Sequence, residues 1–219
     1  MRFKNEKPEA VLFDMDGSLV DSMWMWNKID TEFLEARGLK YTPEFQQEIE
    51  GLSYLETISY FKKKFNPEES EEELADILNN MAMVKYESEV TWKPGAKEFL
   101  ECCREHNIPC GIATSNSREL VEACDRNLNL KKWVKSIRTA DEVKKSKPFP
   151  DIYLQVAEDL NVDPAKCIVF EDVLPGIQAG KNAGMKVYAV QDEYSKDAEQ
   201  EKREAADGFI TDYRELLTD

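Results

Sequence analysis

Five short apolar runs punctuate the chain at 9–13, Cys110 to Ala113, Lys135 to Arg138, Cys167 to Phe170 and Val187 to Val190. Between them lie amphipathic stretches of helical period, at about 95–105, 117–128, 150–160 and 174–183. Runs too short for helices, alternating with segments long enough to be helices, predict parallel β/α units. The last helical stretch carries Gly176, Gly180 and Gly184, whose spacing by four places small residues on one face for close approach to a sheet. Toward the C-terminus Ser195 to Ala206 reads as a charged surface helix, followed by a short run at Phe209-Ile210 and a small helix.

One interval breaks this rhythm. Between Asp21 and about Lys93 no strand pattern occurs, and amphipathic helices are predicted near 22–36, 43–50, 54–65 and 69–89. Trp92-Lys93-Pro94-Gly95 punctuates the return to the alternating pattern. The expected organisation is therefore an α/β core of a Rossmann-like parallel sheet with helices on both faces, built from 1–21 and 91–219, with an all-helical insert at 22–90. Within the insert, Glu68 to Glu73 reads as an acidic helix start feeding Leu74, Ile77, Leu78 and Met81. Trp24 and Trp26 are expected to pack at the domain junction, and Lys62, Lys63 and Lys64 to form a solvated cationic face.

Composition narrows the function. The 219 residues hold 29 Lys+Arg against 44 Asp+Glu, a formal charge of -15, which repels nucleic acid and anionic membrane surfaces. Neither a secretory signal pattern nor an apolar span of membrane length is present, so a cytoplasmic protein is expected, monomeric by default. The cysteines, at 102, 103, 110, 124 and 167, are odd in number and lack a C-x-x-C pair, which argues for reduced thiols rather than a disulfide framework or zinc site. A single histidine, His106 in a polar turn, gives a Ser-His-Asp triad no support.

The candidate chemistry lies at the strand ends, where open parallel sheets bind their ligands. The first run ends in Asp14-Met15-Asp16-Gly17-Ser18, and two like charges about 4 Å apart repel by roughly 4 kcal/mol at an effective dielectric near 20. Such a pair needs a cation, a shared proton or separation. The other ends deliver Thr114-Ser115-Asn116, Lys147 in Lys147-Pro148-Phe149-Pro150, and Glu171-Asp172. Four carboxylates supply hard oxygen ligands for Mg²⁺. A hydroxyl turn offers Thr114, Ser115 and backbone N–H groups to a phosphoryl anion, and Lys147 adds a point charge that neutralises it.

In their order and content these segments resemble the four motifs of the haloacid dehalogenase-like superfamily, in the subgroup with a helical cap after the first motif, where β-phosphoglucomutases and related phosphatases belong. The resemblance spans nearly the whole chain. It implies Asp14 as a nucleophile that becomes an aspartyl-phosphate, and Asp16 as the acid/base. It further implies Mg²⁺ held by the Asp14 side chain, the Asp16 backbone carbonyl and Asp172 with help from Glu171, and phosphate held by Thr114, Ser115, Asn116 and Lys147. The expected function is a Mg²⁺-dependent phosphatase for a small soluble phosphomonoester. The alternatives are a β-phosphoglucomutase-like phosphotransferase and, from a different class, a non-catalytic binding module. An alkoxide leaving group requires the proton that Asp16 carries, whereas a halide does not, so dehalogenation is disfavoured. By position in the family Glu50-Gly51-Leu52-Ser53 is a specificity loop, and it lacks the arginine expected of a mutase.

Overall fold

The computed structural model describes residues 2–3, 7–42, 48 and 54–218. Predicted helix 43–50, except Glu48, and the loop Glu50 to Ser53 lie outside them. The strands are β1 (Arg2–Phe3), β2 (Ala10–Phe13), β3 (Val20–Asp21), β4 (Thr91–Trp92), β5 (Cys110–Thr114), β6 (Ser136–Thr139), β7 (Cys167–Glu171), β8 (Lys186–Val190), β9 (Gly208–Ile210) and β10 (Leu217–Thr218). The helices are α1 (Trp24–Glu35), α2 (Tyr54–Phe65), α3 (Glu71–Ser88), α4 (Ala96–Glu105), α5 (Arg118–Leu128), α6 (Asp151–Leu160), α7 (Leu174–Asn182) and α8 (Glu199–Ala205).

Six parallel strands form the main sheet in the order β6-β5-β2-β7-β8-β9. Counted within the sheet this is 3-2-1-4-5-6, the doubly wound order, whose direction reverses at the β2/β7 junction. The central strands β2, β5 and β7 are nearly continuous apolar runs because both their faces are covered, whereas the edge strand β6 carries Ser136, Arg138 and Thr139. Val11 and Phe13 of β2 pack with Phe99, Phe170 and Tyr213 on one face, and Ala10 and Leu12 pack with Ile152, Val156 and Ile177 on the other. The Phe13 and Phe170 rings stack at 5.4 Å directly behind the switch point, which fixes the two strands that carry the candidate carboxylates.

Two pairings are too short to read from sequence pattern. β1 joins β10, and β3 joins β4 with Val20 opposite Trp92, so the two ends of the helical segment leave the core side by side. Its first face of apolar residues, including Met25, Phe33, Phe61, Leu74 and Leu78, is continuous with the core cluster on the Phe13 face. Helix α3 begins at the expected acidic start, where Ser70 and Glu73 form a reciprocal capping box. The Lys62 ammonium is not part of a freely solvated face, because it donates to the Pro67 and Glu69 carbonyls at 2.7 and 2.8 Å and closes the α2–α3 loop. Trp24 donates its indole N–H to the Asp21 carbonyl at 2.9 Å, and Trp26 packs against the same core.

The segment expected as a charged surface helix divides into a 3-10 turn, Glu193–Ala198, and α8, and its Lys202 is only 1% exposed. That burial corrects a reading based on charge alone, since an ammonium can be buried where oxygen acceptors surround it. All five cysteines are buried thiols. Among the described residues no helix is long and apolar enough to cross a membrane.

Candidate active site

The sheet brings Asp14, Lys147, Glu171 and Asp172 together at its switch point. Asp14 follows β2 and keeps the ladder register, its N–H donating to the Phe170 carbonyl at 2.9 Å. Lys147 lies 2.5 Å from an Asp14 oxygen and 2.6 Å from Glu171 Oε1, and donates to the Ala113 carbonyl at 3.0 Å. Burial works against the ammonium, yet the Asp14 and Glu171 charges outweigh it and hold the Lys147 pKa above its usual value. Burial raises Glu171 to about 7, opposed by Lys147 and reinforced by Asp14. Asp172 is driven well above the ordinary carboxylate range by burial, then by the Asp14, Glu171 and Asp192 charges.

One lysine does not balance this set. Oxygens of Asp14, Glu171 and Asp172 lie within 4.8 Å of one another, and Glu171 Oε2 is buried with no hydrogen-bond partner among the described residues. An orphaned buried oxygen beside two further hard donors fits a divalent cation of the Mg²⁺ class. The loop after β2 is shaped to permit that convergence. Gly17 adopts φ +74°, and a β-carbon there would overlap the Asp172 carboxylate. Ser18 donates to Asp172 Oδ1 at 2.9 Å, with its own carbonyl held by the Tyr213 hydroxyl at 3.0 Å.

Asp16 sits apart from Lys147's direct contacts, in a nest of neutral donors. Oδ1 accepts from Ser22 Oγ at 2.5 Å and from the Tyr86 hydroxyl, and Oδ2 accepts from Asn116 Nδ2 at 2.5 Å. Burial and repulsion from Asp14 raise its pKa to about 6, against the pull of the Ser22 and Tyr86 hydrogen bonds. The expected pair thus occupies two environments, one carboxylate on an ammonium and the other among hydroxyl and amide donors.

The phosphate-binding candidates divide as well. Thr114 is buried at the end of β5, its hydroxyl accepting the Asn116 N–H at 3.1 Å, while Ser115 is exposed at the turn. The Asn116 carboxamide is engaged with Asp16 and, at 2.7 Å, with the Tyr86 hydroxyl, so what the turn leaves for an anion is Ser115 and the hydroxyl hydrogen of Thr114, which accepting from Asn116 does not use.

Several site-shaping residues escape sequence reading. Tyr153 of α6 donates to Glu171 Oε1 at 2.5 Å, yet its position among Ile152, Val156 and Ala157 gives only a core pattern. Lys202 and Ser195 both donate to the Asp172 carbonyl, at 3.0 and 2.9 Å, and thereby fix the loop carrying that carboxylate. The glycine stripe also resolves into separate tasks. Gly180 packs under Val187 and Val169, whereas a β-carbon at Gly176 would overlap the Glu171 carboxylate. Alanine favours a helix by about 1 kcal/mol over glycine. Gly176→Ala is therefore expected to fold, and by displacing Glu171 to weaken Mg²⁺ binding about 10-fold or more in a calorimetric titration. Undiminished affinity would remove Glu171 from the metal set.

A sequence profile of haloacid dehalogenase-like hydrolases matches residues 11–190. A phosphorylated carbohydrates phosphatase from Thermotoga maritima is 34% identical over 184 residues, covering 83% of this chain and 85% of that protein. Hexitol phosphatase B from Escherichia coli is 27% identical over 184 residues, with 83% and 82% covered. Among solved structures, a proposed beta-phosphoglucomutase from Thermotoga maritima superposes with a TM-score of 0.80 at 29% identity, covering 95% of this chain and 96% of that one.

Proposed function

This chain belongs to the haloacid dehalogenase-like hydrolase family, and from that premise we propose that it is a Mg²⁺-dependent phosphatase of a small phosphorylated carbohydrate. The observation that carries this reading is the division of the paired carboxylates, with Asp14 against Lys147 at 2.5 Å and Asp16 among neutral donors with a pKa raised to about 6. Two titratable groups pushed into different environments have different tasks.

Asp14 attacks phosphorus as the bond to the sugar oxygen breaks, and the Asp16 proton passes to that oxygen, so the sugar leaves as a neutral alcohol. Water then attacks the aspartyl-phosphate, Asp16 takes its proton, and Asp14 is released with inorganic phosphate. Lys147 stabilises charge on the transferring group, and the Thr114 hydroxyl, with Ser115 and the backbone of the turn through Asn116, binds the phosphoryl oxygens. Mg²⁺, held by Asp14, Asp172, the Asp16 carbonyl and Glu171, would supply further positive charge to the phosphoryl oxygens. The helices of 22–90 act as a cap over 1–21 and 91–219, excluding water during transfer.

Hydrolysis is favoured over phosphomutase activity because the run Glu50-Gly51-Leu52-Ser53 lacks the arginine expected of a mutase, and five of the seven cations of the helical segment are already engaged. In the helical segment Lys28 pairs with Glu89 at 2.7 Å, Arg37 with Glu69 at 2.6 Å and Lys85 with Glu32 at 3.0 Å. Lys64 pairs with Glu48 and Lys62 is occupied by backbone carbonyls, whereas Lys40 and Lys63 are exposed. The sequence from 41 to 61 contains no Lys or Arg at all. A panel of hexose and hexitol phosphates is expected to release stoichiometric inorganic phosphate with Mg²⁺ and none after chelation. Rapid conversion of glucose 1-phosphate to glucose 6-phosphate with a bisphosphate primer, and little free phosphate, would establish the mutase instead.

A further inference from the structure

The hydrogen bonds around Asp16 distinguish its two oxygens. An ionised carboxylate oxygen has two lone-pair positions. Oδ1 has both filled, one by Ser22 Oγ at 2.5 Å and one by the Tyr86 hydroxyl. Oδ2 has one filled, by Asn116 Nδ2 at 2.5 Å. Asn116 also donates to the Tyr86 oxygen at 2.7 Å, which commits the phenolic hydrogen to Asp16 rather than to Asn116.

The phenol reaches Asp16 from α3, outside the sheet, but its position is set by the core. Asn127 of α5 donates through Nδ2 to the carbonyl of Tyr86 itself, at 3.0 Å, and to that of Val90, at 2.8 Å. Arg126 adds an ion pair to Glu87 at 2.5 Å. Tyr86 is fully buried, and immediately beyond Val90 the chain enters the β3/β4 pairing. The final turn of α3 is thus a fixed reference point beside the catalytic loop.

We propose that Tyr86 is a positioning residue that, with Ser22, anchors Asp16 through Oδ1 and leaves Oδ2 as the only oxygen that exchanges a proton with the reacting groups. This rests on the phosphatase reading above. In the first half-reaction the Oδ2–H bond breaks, its hydrogen bonds to the sugar oxygen as the phosphorus–oxygen bond cleaves, and the electron pair of the broken O–H bond returns the carboxylate. In the second, a water hydrogen passes to Oδ2 as the water oxygen bonds phosphorus and the Asp14–phosphorus bond opens. Asn116 orients Oδ2 through its occupied lone pair, and the other lone pair carries the proton.

A residue that only supports the fold slows every substrate alike, whereas one that aims a proton matters in proportion to the basicity of the leaving group. The test measures phosphoenzyme formation under single-turnover conditions with an alkyl ester, a hexitol phosphate, and as the nitrophenolate burst with p-nitrophenyl phosphate, whose leaving group departs without a proton. Tyr86→Phe is expected to slow the alkyl reaction about tenfold or more, with a much smaller change in the aryl burst. Ser22→Ala, a change of one buried oxygen, is expected to show the same selectivity and carries the test if the tyrosine variant misfolds. Equal losses on both esters, or no loss on either, overturn the assignment of Tyr86. A wild-type enzyme inert toward both esters overturns the phosphatase reading and this inference with it.

Discussion

Asp14→Asn is expected to lower phosphate release by at least about 10⁴-fold and, at neutral pH without metal, to raise the thermal midpoint. The two effects have one cause. Asp14 lies in a buried cluster where its charge raises the pKa of Asp16, Glu171 and Asp172. Asparagine is nearly isosteric and its carbonyl oxygen still accepts from Lys147, which also retains its 2.6 Å contact with Glu171. What disappears is a negative charge among negative charges, a relief of about 1–2 kcal/mol, or roughly 2–8 °C for a chain of this size. What also disappears is the oxygen that, in the proposed mechanism, bonds to phosphorus. Steady-state phosphate release gives the first effect, intact-mass spectrometry after acid quench gives the absence of a phosphoryl adduct, and calorimetry in chelator gives the midpoint. An active variant would unseat Asp14 as the nucleophile. A lower midpoint would mean that Asp14 serves the fold, through Lys147, more than it strains it.

How far such a site is legible in sequence depends on which property each residue uses. Asp14, Lys147, Glu171 and Asp172 converge as their positions after apolar runs predict, because a parallel sheet aligns its strand ends. The α/β alternation and the acidic start of α3 follow from period and capping, which are local. Tyr86 fails for an instructive reason: it continues the stripe Leu74, Leu78, Ala82 at intervals of four, so its ring reads as core while its hydroxyl does the positioning. Lys202 fails conversely, since its neighbours are charged and only the Asp172 carbonyl and the Ser195 hydroxyl, 2.8 Å away, make its burial tolerable. Of the glycine stripe only Gly176 and Gly180 make close approaches, since Gly184 lies past the end of α7 at φ +76° with open space beside it, and the spacing cannot say that the object Gly176 approaches is a carboxylate. Tyr86 and Lys202 act through contacts distant in sequence, whereas each recovered residue is marked by its place relative to a strand.

Lys147→Met tests the electrostatic logic from the opposite side, and its effect depends on pH in a direction the burial of Glu171 dictates. Glu171 has an ordinary value of 4.5 and is raised to about 7 in the folded protein. Between those values the native state holds a proton that the unfolded chain has released, so stability from this group falls as pH rises through the window. Lys147 restrains that rise, because its charge lowers the Glu171 pKa. Methionine preserves the length of the side chain and removes the charge, which leaves Asp14 and Glu171 buried without their shared partner. Breaking a buried pair in this way costs about 3–5 kcal/mol, expected here as a fall of roughly 10 °C in thermal midpoint near pH 8 in chelator. Near pH 5 the deficit shrinks, since Glu171 then takes up a proton instead of remaining charged. Activity is expected to fall at least about 10²-fold at every pH, because the ammonium is also needed on the transferring phosphoryl group, and acid that restores stability does not restore it. A deficit independent of pH would mean that Lys147 contributes packing rather than charge. Recovery of turnover in parallel with stability would mean that the lysine organises the carboxylates and leaves the phosphoryl group to other donors.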